Sequence, residues 1–332
     1  MAERAVFYHA EHADPAALAG GRVAVVGYGN LGSSMAALLA DAGLSVTVGN
    51  IEDGYRTRAE RDGFAVTGIG EACAGAVLVY VLIPDEAIPA VFAQSIGPAL
   101  GPGSAVCFAS GYCLAFGLVD VPAGVDVLLL APRMLGEEVL KAVRAGDGYV
   151  SYVSVERDAT GKAEARLLAL ALAVGSLRRG ALRLPAAQEA LLDLLVEQTV
   201  GPYLGIALQL AFALGTEAGL PPEAMVLELY GSGEMSRVFR AFAEEGFFRS
   251  VNGHGAVAAY GGFLRTLELD SDAMRQHFRA VLEDIRSGGF ARRLQEEEAG
   301  GYPTLRAIER LTGGGDEISS AEERVREALG RP

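Results

Sequence analysis

The sequence predicts an α/β domain built on a doubly wound parallel sheet, followed by an all-α domain. Three observations carry this expectation. Short β-branched apolar runs alternate with longer helical patterns from Gly21 to Val155; a glycine-rich turn follows the first strong run; and beyond Gly161 the periodicity becomes almost wholly helical.

The expected strands are Arg22–Val26, Ser45–Val48, Val77–Ile83, Ala105–Ala109, Val125–Ala131 and Tyr149–Val155. Their unbroken hydrophobicity suits strands covered by helices on both faces of a parallel sheet. Lys162–Val174, Ala186–Glu217, Pro222–Glu245, Ser271–Ser287 and Pro303–Leu311 read as helices. A short strand-like run, Ala181–Leu184, is stopped by Pro185, which places the boundary between a first domain, 1–183, and a second, 184–332. The tail from Gly313 joins a glycine run to dense charge and reads as a loose or peripheral helix.

Composition narrows the function. A chain of 332 residues with 51 % hydrophobic content can build two cores. A net charge of -14 without a basic cluster opposes nucleic acid and anionic membrane as partners and favours a small molecule. The N-terminal residues lack a basic stretch followed by an apolar run, and no charge-free segment reads as long enough to span a bilayer, so a cytoplasmic protein is expected. Cys73, Cys107 and Cys113 lie in apolar surroundings without ligand spacing and are expected to be reduced core thiols.

The segment Gly27-Tyr28-Gly29-Asn30-Leu31-Gly32 joins the strand RVAVV to the helical run SSMAALLADAG. In that frame the first glycine permits a tight turn, Gly29 lets a pyrophosphate approach the backbone, and Gly32 lets helix and strand pack closely. Amide donors at the helix start then face the anion. This is the fingerprint of a Rossmann dinucleotide site. Past the second strand, Asn50 replaces the acidic residue that would hold a ribose 2′-hydroxyl, while Arg56, Thr57 and Arg58 suit a 2′-phosphate. Glu52 and Asp53 could repel that phosphate. NADPH is expected, with NADH left open.

Asp193 and Glu197 stand four apart on an apolar helical pattern, so both leave the same face one turn apart. Two hard oxygen donors so placed suit Mg²⁺, and acids within an apolar stretch are costly without a partner. Glu228 and Glu234 form a second candidate pair, which converges only if Gly231-Ser232-Gly233 interrupts the helix.

The segments GYGNLG (27–32), IPDE (83–86), FASGY (108–112), LLAPR (129–133), RDATGKA (157–163), DLLVEQ (193–198), AYGG (259–262) and DIRSGGFA (284–291) together resemble the short ketol-acid reductoisomerases, class I, of branched-chain amino-acid biosynthesis. The resemblance runs from Phe7 to about Arg310. It implies a knotted helical C-terminal domain, NAD(P)H, one or two Mg²⁺ ions, a 2-oxo-acid-like substrate and a homodimer or higher homo-oligomer. Pro84 and Asp85 then join the cofactor set. Asp193 and Glu197 match the metal-holding pair, and Glu234 matches a metal carboxylate contributed across a dimer. The remaining metal glutamate falls on Tyr230, unless an insertion makes Glu228 its equivalent. Ser110 stands where the family has His, Arg133 where it has Lys, and Gly255, beside His254, where it has the substrate-holding Ser. The implied catalytic set is therefore Asp193, Glu197, Glu234, Arg133 and Ser110, with altered substrate contacts.

Hydride transfer needs a positioned nicotinamide and a polarised C=O, whereas alkyl migration also needs two clamping metals and a proton relay. The expectation is a reductase acting on a 2-oxo acid or related C=O or C=N group, its isomerase step altered or lost. An orthodox reductoisomerase converting 2-acetolactate and a non-catalytic dinucleotide-binding protein are the alternatives.

Overall fold

The computed structural model describes residues 5–250, 255–312 and 316–330; His254 therefore lies outside the described residues. Nine strands form one sheet: β1 (Phe7–Tyr8), β2 (Arg22–Val26), β3 (Ser45–Gly49), β4 (Ala65–Thr67), β5 (Leu78–Val81), β6 (Ala105–Phe108), β7 (Asp126–Pro132), β8 (Ser151–Arg157) and β9 (Ala181–Arg183). Their order is β1-β9-β8-β7-β6-β5-β2-β3-β4. From β4 to β7 every pair is parallel, as the apolar runs predict. Valines and leucines of β2, β5, β6 and β7 are buried because helices cover both faces.

Two pairings correct the all-parallel expectation: β8 runs antiparallel to β7, and β1 antiparallel to β9. Strands buried on both faces look alike in sequence whichever way they run. Direction is set instead by the connections, and here the register breaks between Val127 and Leu128. A polar clamp secures the reversal. Asp126, wholly buried at the start of β7, accepts from Arg166 (2.9 Å), the Thr160 hydroxyl (2.7 Å) and the N–H groups of Ala159 (2.8 Å) and Thr160 (3.0 Å). Arg157 donates to the carbonyls of Val121, Pro122 and Val125. The RDATGKA segment thus anchors β8 to the start of β7. β1 and β4 were not expected, since two- and three-residue strands carry no legible alternation.

The described chain divides into two compact units, 1–193 and 194–332. The division falls inside the helix Ala186–Gln198, beyond the Pro185 boundary read from sequence. Ala186 packs on Leu129 and Ala131 of β7, which ties the first turns of that helix to the sheet.

In the second unit the helical patterns hold but break at two places. The expected Ala186–Glu217 helix is interrupted at Thr199, whose φ is -122°, and continues as Val200–Glu217. The expected Pro222–Glu245 helix becomes Pro222–Val226, a wide turn Leu227–Gly231, and Glu234–Glu245 after a left-handed Gly233 (φ 80°). Helices Phe247–Ser250, Ala256–Glu268 and Gly289–Ala299 were not expected. The tail forms the expected helix, Glu317–Ala328, and it is docked and not loose, with Ala321 and Val325 buried against Phe212 and Val226 and Tyr230 donating to Glu322 (2.5 Å).

The expectation of no membrane-length segment is also corrected. Ala186–Glu217 is long and apolar enough to cross a bilayer by length and composition, and only 11 % of its most apolar window is buried. All three cysteines are buried and free; burial pushes the thiols of Cys73 and Cys113 up to about 12.

Candidate active site

Strands β2, β3, β5, β6 and β7 all point the same way, so the loops leaving their C-terminal ends share one edge of the sheet. Those loops carry Gly27–Gly32, Asn50, Pro84–Asp85, Ser110 and Arg133. The order β5-β2-β3 puts the topological switch point at β2, directly under the glycine turn.

Gly27 has φ 94° and its N–H donates to the Gly49 carbonyl at 2.9 Å, which closes the turn between β2 and β3. A Cβ at Gly32 would stand 2.2 Å from the Gly27 carbonyl oxygen, so close packing of helix on strand requires glycine there. A Cβ at Gly29 meets nothing within 4 Å. The open space lies at the N-cap of the helix Asn30–Asp41, whose first amides have no intrahelical acceptor. The turn therefore fits a pyrophosphate.

Several neighbouring side chains are already engaged. Tyr28 is buried, its hydroxyl donates to Asp62 (2.8 Å) and its ring packs on Phe64, so it can offer a ligand only its backbone. Burial and the Asp62 carboxylate push its phenol up. Asn50 turns into its own loop, donating to the Ile51 carbonyl and to Asp53 (2.8 Å). Asp53 in turn caps the helix Gly54–Arg61 through the amides of Tyr55 and Arg56. Arg56 is held between Glu52 (2.8 Å) and Glu60 (3.2 Å), and Arg58 lies 3.8 Å from Asp62. Thr57 donates to the Asp53 carbonyl (3.4 Å).

Around Arg133 the structure gathers groups from three separate segments. Its Nη1 donates to Asp193 (2.6 Å), its Nη2 to Glu189 (2.9 Å) and its Nε to the Pro132 carbonyl, while the guanidinium carbon stands 5.0 Å from the Tyr152 ring centroid. Glu189 is buried, and its second oxygen accepts the Gly111 N–H at 2.7 Å. A Cβ on Gly111 would come 2.3 Å from the Ala186 carbonyl, so that approach too needs glycine. Beside it, the Ser110 hydroxyl accepts the Tyr112 N–H (3.2 Å). Burial pushes the Glu189 carboxyl above its ordinary range, opposed by the Gly111 N–H and the Arg133 guanidinium and reinforced by Asp193 and Asp85. Sequence reasoning did not single out Glu189. Its signal was present: it stands four residues before Asp193, as Asp193 stands four before Glu197, on one apolar pattern.

The implied magnesium pair meets this arrangement badly. Asp193 already carries the positive end of Arg133, and a second cation about 4 Å from the guanidinium meets a repulsion of about 4 kcal/mol per unit charge at an effective dielectric of 20. Glu228 lies on the wide turn and Glu234 in the first turn of the next helix, both exposed. Among the described residues no three His, Cys, Asp or Glu side chains stand together as a ligand set. The residues as placed do not fit a divalent ion at Asp193.

Two family profiles match in sequence order. "Acetohydroxy acid isomeroreductase, NADPH-binding domain" covers residues 17–180, and "Ketol-acid reductoisomerase, C-terminal domain" covers 187–330. The chain belongs to the ketol-acid reductoisomerase family. Relatives agree with this placing. A Saccharolobus solfataricus protein, provisionally named ketol-acid reductoisomerase 3, is 37 % identical over 87 % of this chain and 88 % of its own. A ketol-acid reductoisomerase (NADP(+)) of Caldivirga maquilingensis is 34 % identical over 91 % of this chain and 92 % of its own. Among solved structures, an NADH-preferring ketol-acid reductoisomerase from an uncultured archaeon superposes with a TM-score of 0.91 at 29 % identity, covering 97 % of this chain and 98 % of that one. This reductoisomerase-family chain is an oxidoreductase of the nicotinamide-dependent class, with a Rossmann-type first unit and a helical second.

Proposed function

We propose that this family member reduces a 2-oxo acid or a related C=O or C=N compound with NAD(P)H, its alkyl-migration step altered or lost. One observation carries the reading: the family's lysine is Arg133 here, and its guanidinium is bound by Asp193 and Glu189. A guanidinium stays charged and cannot give or take a proton as an ammonium can, so a relay through this position is closed. It is well made for another task, since a planar fork holds a carboxylate. The bonds to Pro132, Asp193 and Glu189 use three of its five N–H groups.

When bound, the dinucleotide supplies hydride to the substrate carbon. The turn Gly27–Gly32 would hold its pyrophosphate, with Pro84 and Asp85 on the next loop of the same edge. Arg133 would orient the substrate carboxylate. Ser110, whose oxygen already accepts an amide proton, can turn its own proton toward the oxygen being reduced. Arg56 is braced by two carboxylates, so discrimination of a 2′-phosphate falls more on Arg58 and Thr57. Both NADPH and NADH are therefore accepted in this reading.

A homodimer completes the proposal. Ile206, Leu210 and Leu214 repeat every four residues on the helix Val200–Glu217, and each is more than half exposed. Val257, Tyr260, Leu264 and Leu267, three or four residues apart, form a second exposed apolar row on Ala256–Glu268. A second copy would cover these rows, and the same cover accounts for the membrane-length apolar helix in a soluble, cytoplasmic protein.

Steady-state assays with two substrates test the reading. A 3-hydroxy-2-oxo acid, which needs no rearrangement, should turn over faster than 2-acetolactate, and Arg133→Lys should lower that turnover. Efficient conversion of 2-acetolactate by the unaltered enzyme would establish the orthodox reductoisomerase instead. Failure of every 2-oxo acid and imine tried, with cofactor still bound, would favour the non-catalytic alternative.

A further inference from the structure

We infer that the Arg133 guanidinium takes the place of a divalent cation against Asp193, so that charge balance at this carboxylate is internal to the chain. Three features of the site argue for it. Nη1 of Arg133 lies 2.6 Å from Asp193, within the range of a charge-assisted hydrogen bond. The same guanidinium is fixed from the other side by Glu189, which is 1 % exposed and is itself anchored by the Gly111 N–H. The Pro132 carbonyl and the Tyr152 ring then leave the planar head little freedom to swing away.

An arginine held at four points is not a passing surface contact. Glu189 cannot be left without its cation, because a buried carboxylate stripped of its partner is strongly destabilising. Moving Arg133 aside to admit Mg²⁺ at Asp193 would therefore cost the Glu189 pair as well. A lysine at this position could not span both carboxylates with a planar fork, and would leave Asp193 freer to take a metal. Loss of metal at Asp193 is thus linked to one substitution that the sequence displays.

The inference rests on the family placing but not on the identity of the substrate, and its test reads ion binding rather than turnover. The full chain, freed of metal with EDTA and dialysed, is titrated with Mn²⁺ and followed by electron paramagnetic resonance, alongside Asp193→Asn, Arg133→Gln and the double variant. Wild type should bind Mn²⁺ no more tightly than Asp193→Asn. Arg133→Gln should bind at least tenfold more tightly than wild type, and the double variant should lose that gain. Should Arg133→Gln fail to fold by circular dichroism, Arg133→Lys takes its place with the same expectation. Wild-type binding that disappears in Asp193→Asn would overturn the inference. So would a folded Arg133 variant that gains no affinity, because the guanidinium would then not be what keeps the ion away. If Mn²⁺ behaves as expected while no 2-oxo acid is reduced, the proposed function fails and the internal cation stands.

Discussion

At the scale of single residues, the cofactor site separates backbone from side chain. Gly29 has an extended conformation that any residue adopts, and its missing Cβ borders open space. Gly29→Val should accordingly leave the fold intact and place two methyls where the pyrophosphate belongs. Affinity for NAD(P)H should fall by about 10- to 100-fold or more, corresponding to about 1–3 kcal/mol of overpacking. Calorimetry of the variant together with its unfolding curve decides this, and unchanged affinity would mean that the turn holds no dinucleotide. The arginines ask a different question. Removing Arg56 and Arg58 together should weaken NADPH by roughly 10- to 100-fold more than NADH, since a charge-assisted hydrogen bond contributes about 1.5–3 kcal/mol. Because Glu52 and Glu60 hold Arg56, most of that difference should appear in Arg58→Ala alone. Equal losses for the two cofactors would show that neither side chain sees the 2′-phosphate.

At the scale of elements, the parallel strands from β2 to β7 were legible because each is an apolar β-branched run bounded by turn residues, and the first ends in its glycine turn. The direction of β8 was not, because burial on both faces erases the alternation that separates the two kinds of pairing. What fixes β8 is polar. Asp126 gathers three donors from the segment between β8 and the following helix and a fourth from Arg166 within that helix, only 12 % exposed beside it. Asp126→Ala should leave that guanidinium and two amides unpaired and lower unfolding stability by about 3–5 kcal/mol. A urea midpoint within error of wild type would show that the clamp is dispensable. The RDATGKA segment was read as a family mark, and the structure gives it a mechanical meaning as well.

At the scale of the whole molecule, the second unit leaves two apolar rows uncovered, and a second chain is the proposed cover. Ile206→Glu combined with Leu210→Glu should place charge in the middle of one row, one helical turn apart. Sedimentation of the wild type should give twice the chain mass, and of the variant the single mass, with helicity retained. A wild-type monomer at micromolar concentration would remove the dimer from the proposal. The docked tail helix belongs to this scale too, since Ala321 and Val325 bury themselves against Phe212 and Val226, about a hundred residues earlier in the chain.

The sequence by itself determined the class of molecule: a strand, a glycine turn and a helix in immediate succession can close in few ways, and local periodicity suffices to read them. It also placed Asp193 and Glu197 on one face, because helical spacing is a local property. Only the tertiary structure shows what Asp193 meets, the guanidinium of Arg133 at 2.6 Å. Arg133, Gly111 and Glu189 are separated by tens of residues, and they meet because parallel strands bring their loops to one edge while Ala186 pins a helix across it. No local pattern records that meeting, so the arginine that reads in sequence as a changed catalytic residue is revealed by the fold as the cation that its neighbouring carboxylates already hold.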